Sequence, residues 1–383
     1  IPYRKDESRG RNYPLYSYFL DNGYIVARVD IRGTGRSEGR VIPNEYSEIE
    51  LNDGEEVIEW LSAQNWSNGN VGMFGISWGG FNSIQMAMRN PPALKAFVAV
   101  MATEYLYEED VHYIDGIMVA GDSWMMSNDL YNSLPGAPDF TMDEEWYENR
   151  FDVEPSVYKY MRQQRDGPFW DRASAKNKYD LIKIPGYHIG GWYDGYRNSL
   201  PRMIENVSAP VKAMIGPWDH DFPHNAALKP QVEWRHEAVR WFDQWLKQVD
   251  TGILEEPKFA VYIRDYHEPD DSIEFIPGYW RWENEWPPAD LSKQTFYGHD
   301  NHYLSPEKSK FVEHKLKNKP SIGLEGGGPT MWWGSIPPDQ KPMDKDSLFY
   351  DSDIFDESFE ILGRPIARLN VSADAIRANW VVR

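Results

Sequence analysis

The sequence predicts an α/β core, a parallel sheet covered by helices on both faces, followed by an all-β domain. Buried-strand patterns alternate with amphipathic helical patterns over residues 24–101 and again over 185–249, an order typical of parallel sheets. Between them, residues 103–180 lack strand signals and are divided by prolines, which predicts a helical insertion. After residue 252 the apolar period changes from helical to two, which predicts strands.

These patterns divide the chain into four segments. Residues 1–102 and 181–252 form the two parts of the core, 103–180 the helical insertion, and 253–383 a β-sandwich. A chain of 383 residues exceeds the roughly 250–300 residues of a single core, so a second domain is expected. Residues 1–5 resemble the end of a strand and 379–383 an unfinished one, so both domains are expected to extend beyond this sequence.

Composition narrows the classes of partner. The formal net charge of −20 argues against nucleic acid and anionic membrane surfaces, which would repel the chain. No apolar run approaches the roughly 18 residues of a membrane span, so a water-soluble protein is expected. The absence of cysteine excludes disulfides and thiolate chemistry, and we expect neither metal nor cofactor. The compartment and homo-oligomer formation stay open.

Early elements of the core are predicted in order along the chain. Residues 24–30 have the β-branched pattern of a buried strand, and residues 52–63 that of an amphipathic helix. The glycine-rich loop at 32–39 lacks the spacing of a phosphate-binding loop, so we interpret it as structural. Residues 93–101 follow as another buried strand.

Residues 71–80 contain the pattern on which the rest of the core depends. An apolar strand runs into Gly75-x-Ser77-x-Gly79, and a proline-free helical pattern follows. In a G-x-S-x-G turn between strand and helix, the glycines allow close packing and the strained serine presents its hydroxyl at the sheet edge. The sequence therefore predicts Ser77 as a nucleophile.

The second half of the core and the β domain follow the same rules. We predict strands at 185–192 and 211–216 and helices at 196–206 and 231–249. In the β domain, alternating patterns at 259–264 and 367–372 predict two of its strands.

A serine nucleophile needs a base to remove its proton and an acid to orient that base. Asp194 and His220 each follow a predicted core strand, where site residues of parallel sheets gather. His224, in the same loop as His220, is the rival base. A metal cluster of these two histidines with Asp219 and Asp221 is a weaker alternative, because no H-E-x-x-H spacing accompanies it.

The chain as a whole resembles the CocE/NonD hydrolases, the group of cocaine esterases, X-Pro dipeptidyl peptidases, α-amino acid ester hydrolases and glutaryl acylases. The motifs that carry the resemblance are PYRK at 2–5, DIRGTGRSEG at 30–39, GNVGMFGIS at 69–77, GWYDG at 191–195 and GPWDH at 216–220. It implies an α/β-hydrolase core with a helical cap insertion and a C-terminal jelly roll.

The resemblance also implies residue roles. Ser77 is the expected nucleophile, His220 the base and Asp194 the acid. The backbone N–H of Trp78 and the hydroxyl of Tyr3 are the expected oxyanion hole. Three aromatic residues are expected to line the acyl pocket: Tyr196, Trp332 and Trp333.

We therefore expect a serine hydrolase that cleaves small-molecule esters or amides through an acyl-enzyme on Ser77. The alternatives are an X-Pro dipeptidyl peptidase, a glutaryl or β-lactam acylase, or, from another class, a tryptophan-rich carbohydrate-binding protein with an inactive core. Tyr196 and Arg197 after the acid favour acyl groups without an amine. The carboxylates of Asp110, Asp115 or Asp122 in the cap would reverse that preference if they reached the pocket.

Overall fold

The computed structural model describes residues 3–119, 122–136, 140–322 and 339–382. Within them the main sheet has six strands, which are β1 (Val71–Ile76), β2 (Leu94–Val100), β5 (Gly186–Gly191), β6 (Val211–Gly216), β7 (Phe259–Arg264) and β8 (Gly278–Glu283). They lie side by side in that order, and the first five are parallel while β8 is antiparallel. The four other strands form two short pairs: β3 (Tyr113–Ile114) with β4 (Ile117–Met118), and β9 (Tyr297–Gly298) with β10 (Leu304–Ser305).

Among the described residues, four of the five helices that pack around the sheet lie close to the predicted positions, and the first was not predicted. The core helices are α1 (Arg9–Asp21), α2 (Glu48–Ser62), α3 (Trp78–Arg89), α8 (Ser199–Asn206) and α9 (Trp234–Leu246). The insertion contains α4 (Asp122–Ser133), α5 (Glu144–Trp146), a π-helical turn (Tyr147–Phe151), α6 (Ser156–Arg162) and α7 (Pro168–Asp171). Short 3₁₀ turns lie at Tyr179–Leu181 and Lys341–Asp346. The helical character predicted for the insertion is present, and the β3–β4 hairpin is an addition to it.

The apolar side of a predicted amphipathic helix is buried in the structure. Helix α9 buries Val239, Phe242 and Leu246, spaced three and four residues apart, in the same core cluster as the apolar residues of strand β2. Fully burying one such side chain is worth about 1.5–3 kcal/mol, so these faces hold the helices against the sheet. The core therefore lies between the parallel strands and the helices on both sides of them.

The prediction of a strand at 24–30 is wrong. The segment is extended, with Tyr24 and Val26 packed on the core and Ile25 and Val29 exposed, but no described strand pairs with it. A β-branched run suits any extended segment with one buried side, and sheet pairing depends on a neighbour that the pattern cannot specify. Helix α1, which precedes this segment, was not predicted.

The assignment of residues 259–264 to the β domain also needs correction. The strand forms where it was predicted, but β7 pairs in parallel with β6 and so extends the core sheet. Residues 367–372 form no strand, and Leu369 and Val371 are exposed, because no described sheet face covers them. The jelly roll and the domain boundaries therefore stay predictions. No helix in the described ranges has the length and apolarity to cross a membrane.

The junction between β1 and α3 depends on glycine at two positions. A Cβ at Gly75 would lie 2.5 Å from the carbonyl carbon of Gly79, and one at Gly80 2.7 Å from the Cβ of Ala102. A Cβ at Gly79 would meet nothing within 4 Å. The backbone of Gly79 thus approaches β1 closely, while its own side-chain position is open.

We predict that Gly75→Ala destabilises the protein by about 2 kcal/mol or more, because a backbone contact must move apart. Gly79→Ala is the matched control in the same turn, and it should be neutral or stabilising by about 0.5–1 kcal/mol, since alanine favours the helix. Urea unfolding of both variants measures the difference. Equal stabilities would contradict the role assigned to the close contact.

Candidate active site

Ser77 occupies the turn between β1 and α3 in a conformation rare for a residue with a side chain. Its backbone has φ 57° and ψ −129°, and its N–H donates to the carbonyl of Val100 at the end of β2 at 3.0 Å. Such a conformation costs about 1–3 kcal/mol and persists only where the surroundings impose it. The turn sets Ser77 at the carboxyl edge of the parallel strands.

Asp194 and His220 lie at the same edge, in the loops after β5 and β6. The Asp194 Oδ1 and His220 Nδ1 atoms are 3.0 Å apart, and the two side chains are 1% and 6% exposed. With its proton on Nδ1 the ring donates to the carboxylate, which leaves Nε2 as an acceptor for another proton. This is the orientation that a base acting on a serine requires.

Hydrogen bonds between neighbouring loops fix this pair. The N–H groups of Trp192 and Tyr193 donate to the carbonyls of Gly216 and Trp218, at 2.9 and 3.0 Å. These bonds join the loop that carries Asp194, here called the acid loop, to the loop that carries His220. The spacing of Asp194 and His220 therefore follows from the pairing of β5 with β6.

Tyr196 supports the histidine. It is buried, its ring meets His220 edge-on at 5.6 Å between centroids, and it meets Phe81 of α3 at 4.9 Å. The residue predicted to line the pocket thus packs between His220 and the helix that follows Ser77. Trp332 and Trp333, the other predicted pocket residues, lie outside the described residues.

His224, the rival base, faces elsewhere. Its Nδ1 accepts a hydrogen bond from the indole N–H of Trp234 in α9 at 2.9 Å. Burial and, next, the charge of Arg235 lower its pKa, so the half-buried ring is neutral and acts as an acceptor for Trp234. Because the two histidines point to different partners, the structure does not bring them together as metal ligands.

The hydroxyl of Tyr3 lies beside the Trp78 amide. The backbone N–H of Trp78 donates to the Tyr3 hydroxyl oxygen at 3.2 Å, so the two groups meet at one point, and an oxyanion that replaced this bond would meet both donors. Burial raises the pKa of Tyr3, although hydrogen bonds with Ser77 and Trp78 oppose this effect. The phenol therefore keeps its proton near neutral pH and remains a donor.

Glu50 of α2, which the sequence reasoning missed, holds the Trp78 side chain. Its carboxylate accepts hydrogen bonds from the Trp78 indole N–H (3.0 Å), the Asn82 amide (2.9 Å) and the Tyr46 backbone N–H (2.6 Å). Burial raises the pKa of Glu50 to about 7, because uncharged donors only partly offset the loss of water. The Ser47-x-x-Glu50 capping box was the available signal, but it predicts a helix start and not a contact with Trp78.

The cap aspartates differ in position. Asp110 is 3% exposed, its Oδ2 has no hydrogen-bond partner among the described residues, and burial raises its pKa to about 7. It is near enough to Tyr196 for its charge to raise the pKa of that phenol, after the larger effect of burial. Asp115 is exposed, and the side chain of Asp122 lies outside the described part.

Comparison with known families decides the classification. The model of the X-Pro dipeptidyl-peptidase (S15) family matches residues 1–221, and that of the X-Pro dipeptidyl-peptidase C-terminal non-catalytic domain matches 251–383. The chain belongs to the X-Pro dipeptidyl-peptidase (S15) family. The S15 family is a family of serine hydrolases, so the predicted class of protein is confirmed. The C-terminal part of this chain matches a non-catalytic domain, in agreement with the predicted fold of a core followed by a second domain.

The proteins to which this chain is similar include an esterase. The chain is 24% identical to cocaine esterase from Rhodococcus sp. over 95% of its own length and 70% of that protein. It resembles a CocE/NonD family hydrolase from Staphylococcus aureus (TM-score 0.61, 20% identity, 80% of this chain) and an α-amino acid ester hydrolase (0.55, 21%, 78%). The chain spans only 54% and 55% of those two solved structures, and at these identities the likeness shows the fold. The predicted resemblance is confirmed.

The raised pKa of Glu50 predicts a pH-dependent stability. The folded state retains a proton that the unfolded state releases between about pH 4.3 and 7, so this group destabilises the wild type as pH rises through that window. The unfolding free energy of wild type minus that of Glu50→Gln should therefore fall from pH 5 to pH 8, by at most about 3 kcal/mol. Urea unfolding at both values measures it.

Glu48→Gln, at the exposed first turn of the same helix, is the matched control for that measurement. A wild-type advantage over Glu50→Gln that grows with pH would reverse the sign and contradict the assignment.

Proposed function

We propose that the protein hydrolyses esters or amides of small carboxylic acids through an acyl-enzyme on Ser77. One observation carries the proposal: a strained serine lies at the same sheet edge as a buried Asp194–His220 pair, beside the paired Tyr3 hydroxyl and Trp78 amide. Nucleophile, base, orienting acid and oxyanion donors are the groups that acyl transfer requires.

The proposed reaction has two balanced halves. The Ser77 Oγ attacks the acyl carbon while its proton passes to Nε2 of His220, and the oxyanion accepts hydrogen bonds from Trp78 and Tyr3. Collapse breaks the bond to the alcohol or amine, which takes the proton from His220. Water then loses a proton to His220 and attacks the acyl carbon. The bond to Ser77 Oγ breaks, His220 returns the proton to Oγ, and the acid and free Ser77 are released. The carboxylate of Asp194 holds the imidazolium that forms in each half.

Peptidase activity is the second candidate, and Asp110 is the observation that favours it. A buried carboxylate with one unpartnered oxygen, close to Tyr196, suits the ammonium group of an α-amino acyl or X-Pro substrate. Against it, Tyr196 and Arg197 follow the acid, and the Arg197 guanidinium donates to the Asp194 carbonyl at 3.1 Å. An acylase or a carbohydrate-binding protein has no comparable observation in its favour.

The proposal predicts that Ser77→Ala and His220→Ala each lose about 10⁴-fold or more in kcat, because nucleophile and base act as a unit. His224→Ala is the matched control and should keep most of its activity, since His224 bonds to Trp234. Hydrolysis of an activated ester and labelling by a fluorophosphonate probe provide the two readouts. Activity of Ser77→Ala within tenfold of wild type, or an unlabelled wild type, would contradict the proposal.

A second prediction concerns the acyl group. When the esters carry the same leaving group, the phenylacetyl ester should be cleaved with a higher kcat/KM than the phenylglycine ester. A glutaryl ester of the same alcohol tests whether Arg197 favours an acyl chain that ends in a carboxylate. Asp110→Asn should then change the phenylacetyl rate little. A tenfold preference for phenylglycine that disappears in Asp110→Asn, about 1.4 kcal/mol of ammonium binding, would instead establish the second candidate.

A further inference from the structure

We propose that Asp30, which directly precedes the glycine-rich loop at 32–39, is a positioning residue for the oxyanion hole: it holds the chain at Lys5 so that the Tyr3 hydroxyl stays beside Trp78. This inference rests on the proposed function. The loop matched no phosphate-binding pattern, and the acyl-transfer mechanism does not use it. Its contacts show what it holds.

Asp30 binds the N-terminal segment at two points. Its Oδ1 accepts from the backbone N–H of Lys5 at 2.6 Å, and its Oδ2 accepts from the Lys5 ammonium at 2.8 Å. Oδ2 also accepts from the backbone N–H of Arg36 at 3.1 Å. The carboxylate thus joins the loop to a residue two positions after Tyr3.

The electrostatics of Asp30 suit an anchor that stays charged. The carboxylate is 1% exposed, and burial alone would raise its pKa. The hydrogen bonds from Lys5 and Arg36, together with the Lys5 charge, outweigh burial and hold the pKa below its usual range. Asp30 is therefore ionised throughout the pH range in which a histidine base operates.

The glycines of the loop make room for this carboxylate. Gly35 has φ +49°, and a Cβ there would lie 2.5 Å from Asp30 Oδ2. The Arg150 guanidinium fixes the same turn from the cap by donating to the carbonyls of Gly35 (2.9 Å) and Ser37 (2.8 Å). The loop is therefore a rigid base for the Asp30–Lys5 contact.

Arg4, which lies between Tyr3 and Lys5, holds the same segment to the cap. Its side chain is 2% exposed, its backbone has φ 47°, and its guanidinium donates to the Pro135 carbonyl of the cap at 2.8 Å. Tyr3 is followed directly by one residue bonded to the cap and by a second bonded to Asp30. A shift of the segment by even about 1 Å would misplace the phenol, and displacements of that size cost up to about 10²-fold in rate.

The test is a double-mutant cycle of Asp30→Asn with Tyr3→Phe. If Asp30 acts through the Tyr3 hydroxyl, Asp30→Asn should lower kcat by about tenfold with KM within about twofold, and should lower it less than about twofold in the Tyr3→Phe protein. A purely structural role would cost the same in both proteins. Equal losses, or a loss carried by KM, would overturn the proposal.

Asp53→Asn is the matched control, because Asp53 pairs with Arg32 of the same loop at the surface and touches neither Lys5 nor Tyr3. It should leave kcat unchanged, and a tenfold loss there would show that any damage to the loop suffices. If Asp30→Asn melts below the assay temperature, Lys5→Met replaces it in the cycle. That variant keeps the backbone hydrogen bond and should show a smaller, equally Tyr3-dependent loss; a loss independent of Tyr3 would overturn the proposal.

The outcomes also separate this inference from the proposed function. An active Ser77→Ala would refute the function itself, whatever Asp30 does. An unchanged kcat in Tyr3→Phe would refute the oxyanion role of Tyr3 and, with it, the role of Asp30. If Ser77→Ala is inactive and Tyr3→Phe is slow, but Asp30→Asn lowers kcat equally in the wild type and in Tyr3→Phe, only the positioning role of Asp30 is refuted.

Discussion

The close contact between the backbones of β1 and α3 is the constraint on which the rest of the site depends. Only a glycine at position 75 lets the first turn of α3 pass over the end of β1, and this passage holds Ser77 at a positive φ. The strain is stabilised by the buried faces of α3 and β2 around it. The pairing of β5 with β6 fixes Asp194 and His220 at the carboxyl edge of the sheet. The turn between β1 and α3 then decides whether the Ser77 hydroxyl lies at that same edge.

Buried carboxylates support the two proposed oxyanion donors, and their surroundings drive their pKa values in opposite directions. Asp30 receives an ammonium and two backbone N–H groups, so the hydrogen bonds and charge outweigh burial and lower its pKa. Glu50 receives three uncharged donors, so burial prevails and its pKa rises to about 7. The same chemical group thus serves as a permanently charged anchor for the Tyr3 segment and as a titrating anchor for Trp78.

The insertion contacts the segments on two sides of the site, those around Tyr3 and those after Asp194. Arg4 and Arg150 connect it to the Tyr3 segment and to the glycine-rich loop. On the other side, Arg202 of α8 pairs with Glu104 and Glu109 at 2.6 Å each, at the start of the insertion. Since α8 follows the acid loop, these buried pairs hold that loop as well. Separating such a pair would leave a buried charge without its partner, which is costly. We therefore expect the insertion and the core to stay together as one unit.

The sequence alone determined the elements whose signals are local. The strand–turn–helix at Ser77, the apolar stripe of α9 and the strands before Asp194 and His220 follow from periodicity and glycine placement, and the structure has them within a few residues. Tertiary structure decided everything that depends on a neighbour. Residues 24–30 have a strand pattern but belong to none of the described sheets, and β7 joins the core sheet because β6 offers it an open edge. Glu50 and Asp30 meet Trp78 and Lys5 from 28 and 25 residues away. A pattern reports which side of a segment is apolar, whereas pairing and buried hydrogen bonds depend on which distant groups remain to be satisfied once the core has packed.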